Sequence, residues 1–301
     1  MRASSRSPSG GSGRSIASRR AFRSPRAGSW TRSASHAFYR SRVRLAILSD
    51  IHGNTIALDA VLGDIRSSGG VDGFLVLGDL AAIGPDPVGV LERIAGLSGA
   101  HIVRGNTDRY VVTGERPDWY KRERGKSEQE IHRIEVEIER SMSWTQGFVA
   151  GAGWHDWLAA LPLEFRMALP DGTRLLAVHA SHRSDEDPGL VPASSDDEMR
   201  ELLRDATAEL VLAGHTHRAL DRRLGPHLRL VNPGSLSNPL PSEADTRAGY
   251  ALLVADRDAY KVELRRVEYD HDAFIERLRS VYHPAADFII GMHRRQGAAH
   301  H

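Results

Sequence analysis

The sequence predicts an α/β domain built from two packed mixed sheets flanked by helices. Three observations carry that reading. From residue 43 the chain alternates apolar strand-like runs with amphipathic helical stretches, the pattern of parallel strands joined by crossover helices. The second half is richer in strands and contains a hairpin. Apolar run after apolar run stops at a Gly-rich turn carrying Asp, Asn or His.

The elements follow in order. "VRLAILS" (43–49) is the first strand, its run Leu45–Leu48 continuously apolar as in a strand covered on both faces, and a helix follows near 54–67. "FLVLGD" (74–79) is the second strand, 87–96 the second helix and "HIVRGN" (101–106) a short third strand. A helical insert occupies the region near 115–160. In it Ile131, Ile134, Ile138 and Met142 share one helix face that packs on the domain, and Trp144, Trp154 and Trp157 are expected in the core or in a lid. "LEFRMALPDGTRLLAVHAS" (163–181) reads as a hairpin turned at Asp171-Gly172. A helix near 195–206 precedes strand "LVLAGHTH", and further strands are expected at 228–232, 249–255 and 259–267. Helices at about 270–280 and 284–294 close the chain.

Composition bounds the function. With no cysteine, disulfides and thiolate metal sites are excluded, so any metal must be held by His, Asp, Glu or Asn. No apolar run is long enough to span a membrane, which points to a cytoplasmic protein without a membrane partner. The net charge of +1 hides an asymmetry. Residues 1–42 hold ten arginines and no acidic residue, which leaves 30 basic against 39 acidic side chains in residues 43–301. A folded part at net −9 argues against broad binding to nucleic acid.

The Ser/Arg-rich segment 1–42 has too little apolar surface to offset its ordering entropy and is expected to be disordered. It fits a transit peptide or a basic arm for nucleic acid. It also fits a start codon assigned too early in a GC-rich genome, since Arg outnumbers Lys 37 to 3 and Val43 opens the first strand. The last is the preferred expectation, with the native protein beginning at or near Val43.

The stretch "SDIHGN" (49–54) has two readings. Asp50 and His52 are either ligands beyond a strand end, pointing the same way by strand alternation, or bystanders at a helix N-terminus capped by Asn54 or Asp50. The wider pattern favours ligands. Asp79 closes the second strand, Asn106 the third, His179 a fourth, and His215 and His217 a fifth. By contrast His155, His227 and the terminal His300 and His301 are expected to face solvent, with Arg183 on the surface and "GGSG" (10–13) in a flexible tail.

"SDIHG", "LGDLAAIGPDP", "RGNTD", "VHAS", "AGHTH", "VNPGSLSNP" and "RAGYALL" together resemble the calcineurin-like metallophosphoesterases, over nearly all of residues 43–270. The likeness is to their small bacterial phosphodiesterase, or diadenosine-tetraphosphatase-like, branch. The resemblance implies a four-layer α/β/β/α sandwich with a dinuclear centre. Asp50, His52 and His217 would hold one divalent ion and Asn106, His179 and His215 the other, with Asp79 bridging both. Mixed His and carboxylate ligands suit Mn, Fe, Zn, Co or Ni, and Mn is favoured. The implied activity is hydrolysis of a small-molecule phosphoester by a hydroxide held between the ions.

One departure bears on substrate class. Many relatives have His where this chain has Thr107, followed by an acidic residue as here in Asp108. Threonine has no comparable proton to give a leaving group near neutral pH. The expected catalytic residues are therefore Asp79, Asn106, Thr107 and Asp108, with phosphodiesters or good leaving groups preferred, and Asp108 expected to cap the helix beginning "DRYVV". Phosphomonoesterase or protein phosphatase activity, and a non-catalytic scaffold like the retromer-type relative, are the alternatives.

Overall fold

The computed structural model describes residues 41–122, 125–237 and 245–294. The expectations for residues 1–40 and for the terminal histidines lie outside them.

Among the described residues, ten strands form two mixed five-stranded sheets. The first has the order β10-β9-β1-β2-β3, from β1 (Arg42–Leu48), β2 (Gly73–Val76), β3 (Ala100–Ile102), β9 (Ala248–Asp256) and β10 (Tyr260–Val267). The second runs β4-β5-β6-β8-β7, from β4 (Glu164–Ala168), β5 (Arg174–Val178), β6 (Leu210–Leu212), β7 (Leu220–Arg223) and β8 (Arg229–Asn232). β1, β2 and β3 are mutually parallel, as are β5, β6 and β8, while β9 pairs antiparallel with β1 and β10, β4 with β5, and β7 with β8.

The continuous apolar run of β1 is explained by period-two packing. Val43, Leu45 and Ile47 face the second sheet, meeting Leu175, Ala177, Leu210 and Leu212. Ala46 and Leu48 face the opposite way. There they pack with α1 (Thr55–Ser67), α2 (Pro87–Ala95), α3 (Asn106–Thr113), α4 (Glu128–Gly151) and α5 (His155–Ala159). A third apolar layer covers the outer face of the second sheet, where Leu176, Val178 and Val211 meet α6 (Asp196–Leu202) through Met199. The layers are thus α/β/β/α, the last being thin. Helices α7 (His271–Ser280) and α8 (Ala286–Arg294) add Phe274, Leu278 and Ile289 to the first helical layer.

In α4, Ile138 and Met142 are buried and Ile131 and Ile134 pack at the edge of the same core, as the spacing predicts. Ser127 and Glu130 cap its start reciprocally. Trp154 is buried, and Trp157 packs edge-on against it. Two expectations shift. α3 begins at Asn106, not at Asp108, and the edge strand β7, whose charged "LDRR" carries no apolar alternation, escaped the sequence reading.

Candidate metal centre

Because β1, β2 and β3 run parallel, and β5 and β6 run parallel in the facing sheet, their carboxyl ends lie along one edge of the sandwich. Asp50 and His52 follow β1, Asp79 follows β2, Asn106 follows β3, His179 follows β5, and His215 and His217 follow β6. All seven predicted ligands come together there.

They do not point inward by strand alternation, because β1 ends at Leu48. Asp50 (φ 56°), His52 (48°), Asp79 (56°), His215 (67°) and His217 (59°) all adopt the left-handed backbone region. Non-glycine residues adopt it at a cost, and such residues gather at functional sites. A ladder of main-chain bonds holds the first three: the amides of Asp50, Ile51, His52 and Gly53 donate in turn to carbonyls of Gly78, Asp79, Asp79 and Leu80. Asn54 then caps α1, its side chain accepting from the Ala57 amide. The helix-cap reading of "SDIHGN" thus holds for Asn54, while Asp50 and His52 lie in the cluster beyond the strand end.

Asp79 sits at the middle of the cluster. Its Oδ2 lies 3.7 Å from His52 Nε2, and its Oδ1 lies 3.5 Å from His179 Nε2. On the first side, His52 Nε2 and His217 Nε2 are 3.1 Å apart and Asp50 Oδ1 is 3.2 Å from His217 Nε2. Ligand atoms of Asp50, His52, Asp79 and His217 all fall within 4.8 Å of one another. On the second side, Asn106 Oδ1 lies 3.0 Å from His179 Nε2 and 3.1 Å from His215 Nδ1. Asp50, His52, Asp79, Asn106 and His179 are buried, whereas His215 and His217 are partly exposed and mark the side open to solvent.

The donor chemistry fits cations. His179 Nδ1 lies 2.6 Å from the Leu77 carbonyl and must donate to it. In the neutral ring this turns the Nε2 lone pair toward the oxygens of Asn106 and Asp79, an arrangement of acceptors that a cation between them relieves. Asp50 Oδ1 is buried without an aligned hydrogen-bond donor. Burial pushes His52 and His215 down to about 4, so both rings are neutral at pH 7, the ligating form. Burial alone would raise the Asp50 carboxyl, but the His217 imidazole, helped by His179 and His52, holds it well below the usual carboxylate range. Burial would likewise lower His179, and the Asp79 and Asp50 carboxylates outweigh it.

Supporting groups fix the cluster. Asp108 is more than a helix cap: its carboxylate accepts from the amides of Gly105 (3.0 Å), Asp79 (2.9 Å) and Leu80 (2.9 Å). It therefore ties the Asp79 turn to the start of α3. Thr107 donates its amide to Asp79 Oδ1 at 2.9 Å, while its hydroxyl is buried without a partner. Ser49 Oγ and the His215 amide both donate to Asp50 Oδ2. Ser235 Oγ donates to the Asp50 carbonyl, and Asn232 Nδ2 to the Gly214 carbonyl. The motif "VNPGSLSNP" gives these two residues no role in isolation; their signal is the turn chemistry of Asn-Pro-Gly-Ser itself. Elsewhere His227 is exposed as expected and His155 is half-buried. Exposed Arg183 donates to the carbonyls of Glu201 and Leu202 at the end of α6.

A four-layer sandwich with Asp and His converging beyond its strand ends defines the metallophosphoesterase class. The chain belongs to the calcineurin-like phosphoesterase superfamily, whose domain matches residues 43–258. An uncharacterized protein of Methanocaldococcus jannaschii is 27% identical over 241 residues, covering 75% of this chain and 88% of that protein. Among solved structures, a hypothetical protein from Pyrococcus horikoshii OT3 aligns with a TM-score of 0.65 at 20% identity, over 82% of this chain and 97% of that one. A metallophosphoesterase from Sphaerobacter thermophilus aligns with a TM-score of 0.60 at 21% identity, over 82% and 98%. These structures share the fold.

Proposed function

We propose that the protein is a metal-dependent hydrolase of phosphoric esters that prefers phosphodiesters, as in the small bacterial phosphodiesterase branch of the superfamily. The observation that carries this reading is the placement of Asp79, with one carboxylate oxygen toward His52 and the other toward His179. In it, Asp50, His52 and His217 hold one divalent ion and Asn106, His179 and His215 a second, with Asp79 shared between them. Ions held there supply Lewis-acid charge to a phosphoryl group and lower the pKa of water; manganese is the favoured metal.

The residues of the chain do the rest. Two divalent charges exceed those of the Asp50 and Asp79 carboxylates, so the centre attracts a phosphate anion despite the acidic charge of residues 43–301. Asp108 and the Thr107 amide keep Asp79 in place. The Thr107 side chain is buried and offers no proton to a departing alkoxide. That favours leaving groups able to depart unaided, as in activated diesters. Among the described residues no helix is long and apolar enough to cross a membrane.

The test is turnover of bis-p-nitrophenyl phosphate, an alkyl phosphomonoester and a phosphopeptide by protein reconstituted with Mn²⁺. Diester turnover well above the other two is expected. A preference for the monoester or phosphopeptide would replace the reading with a phosphomonoesterase or protein phosphatase. No turnover by protein that binds metal would leave a scaffold.

A further inference from the structure

His215 and His217 fall in opposite halves of the proposed centre, yet one residue, Thr216, separates them. Both histidines are left-handed, at φ 67° and 59°, a conformation that persists in non-glycine residues only where the surroundings impose it. The groups that impose it differ. The His217 carbonyl accepts from the Ser235 amide at 3.3 Å. His215 is bracketed by a single side chain, that of Asn232, fully buried at the end of β8. Asn232 Nδ2 lies 2.7 Å from the Gly214 carbonyl, just before His215, and 3.1 Å from the Thr216 hydroxyl, just after it.

The donors and acceptors leave one arrangement. Asn232 Oδ1 accepts from the Gly234 amide at 2.8 Å, and the Gly214 carbonyl can only accept, so the NH₂ group faces the His215 turn. Its other N–H goes to Thr216 Oγ1, whose own proton then goes to the Leu190 carbonyl, 3.1 Å away. Leu190 lies in the loop between β5 and α6, and that loop packs on the same turn. A Cβ on Gly189 would stand 2.8 Å from Thr216 Cγ2 and 3.2 Å from His215 Cδ2. The Thr216 hydroxyl thus joins β8, the His215 turn and this loop. We propose that Thr216 is a positioning residue. By passing the Asn232 bond on to Leu190, it fixes the His215 imidazole, whose Nδ1 is 3.1 Å from Asn106 Oδ1, toward the second metal. His217, on the side of the first metal, is held through the Ser235 amide instead. The inference rests on the two-metal reading above.

The test is calorimetric titration of the chelated full-length protein with Mn²⁺ alone. Thr216→Val keeps nearly the same shape and deletes the hydroxyl, whereas Thr216→Ser keeps the hydroxyl and deletes the methyl that faces Gly189. Outer groups that orient metal ligands are worth roughly 10–100-fold in affinity. Thr216→Val should therefore weaken one of two Mn²⁺ sites by about tenfold or more and leave the other within about twofold, and Thr216→Ser should leave both within about twofold. Thr216→Ala deletes the same hydroxyl with a smaller side chain and carries the same expectation as valine, so the test survives a valine variant that does not fold. The discriminating arm is Thr216→Val in an Asn106→Ala background, where the second site is already weakened. There the remaining site should change by less than about twofold. Unchanged affinities in the valine and alanine variants would mean that the hydroxyl orients nothing, and a serine variant as weak as valine would assign the effect to the methyl. A remaining site that weakens about tenfold in the double variant would mean that Thr216 merely supports the fold. Each of these overturns the inference. Wild-type protein that binds no Mn²⁺, or one equivalent, would instead overturn the two-metal reading, and this inference with it.

Discussion

Gly105→Ala is the sharpest probe of the shared carboxylate. Gly105 has φ −92° and ψ 170°, a conformation open to any residue, so alanine brings no backbone strain there. The effect is steric. A methyl on Gly105 would overlap the Asp79 amide nitrogen and Oδ1 and come within 2.8 Å of Asp79 Cγ, where ordinary contact begins at 3.4 Å. The Asp79 amide is already tied to Asp108, and its carboxylate to the Thr107 amide, so the turn has little freedom to yield. Overpacking of this kind costs about 1–3 kcal/mol of stability. If Asp79 yields, its oxygens retreat by roughly 1 Å, a misplacement that can cost about 100-fold in rate. The variant should fold, melt lower, lose bound metal from both sites together and fall at least about 100-fold in diester turnover. Metal analysis beside a thermal melt reads both effects. Two equivalents of metal and wild-type turnover in a folded Gly105→Ala protein would refute the placement of Asp79 as the shared ligand.

Three further outcomes are expected. Asp79→Ala should abolish occupancy of both metals while Asn106→Ala mainly weakens one; two equivalents in the Asp79 variant, by metal analysis, would count against the bridge. Thr107→His should raise the ratio of alkyl monoester to aryl diester turnover by at least about tenfold, a modest part of what general acids contribute, and an unaltered ratio in fully metallated protein would show that this position does not set substrate class. Burial pushes His283 down to about 4 from 6.5, and its Nδ1 accepts from the Ala285 amide, which a protonated ring could not do. Between those values the unfolded chain binds the proton and the folded one does not. The stabilisation is therefore present above pH 6.5 and lost as pH falls toward 4, by about 2 kcal/mol between pH 7 and 5. His283→Gln should flatten that part of the melting-temperature profile, and a profile identical to wild type would exclude His283 as its source.

The sequence carried the fold where packing and local pattern coincide. The apolar run at Leu45–Leu48 is legible because both faces of β1 are buried, and the Asp171-Gly172 turn because Gly172 takes φ 89° between paired strands. The candidate ligands were legible because each follows an apolar run. Their orientation was not. The left-handed turns at Asp50 and His52 depend on carbonyls of Gly78, Asp79 and Leu80, which no local window contains. The role of Asp108 was hidden for the same reason: in sequence it is a helix-capping acid, and its bonds to the Asp79 turn span 28 or 29 residues. The edge strand β7 depends on its pairing with β8 and not on any alternation of its own.

The proposed centre takes its residues from both sheets, and this links the core to the chemistry. Asp50, His52, Asp79 and Asn106 follow strands of the first sheet, and His179, His215 and His217 follow strands of the second. Contacts within each half of the cluster cross that boundary: His217 meets Asp50 and His52, while His179 and His215 meet Asn106. The spacing between the halves is set by the apolar layer of Ile47, Leu75, Leu175 and Leu212, which is packed too tightly to deform continuously. A ligand set divided in this way cannot form in either sheet alone. In the proposed reading, ions bound only by the assembled set would favour the folded state by mass action and would clamp the sandwich at the edge where the strained turns lie. That would give a physical reason for five left-handed residues to persist there: the turns need the opposing sheet to hold them, and the ions would hold the sheets at that edge.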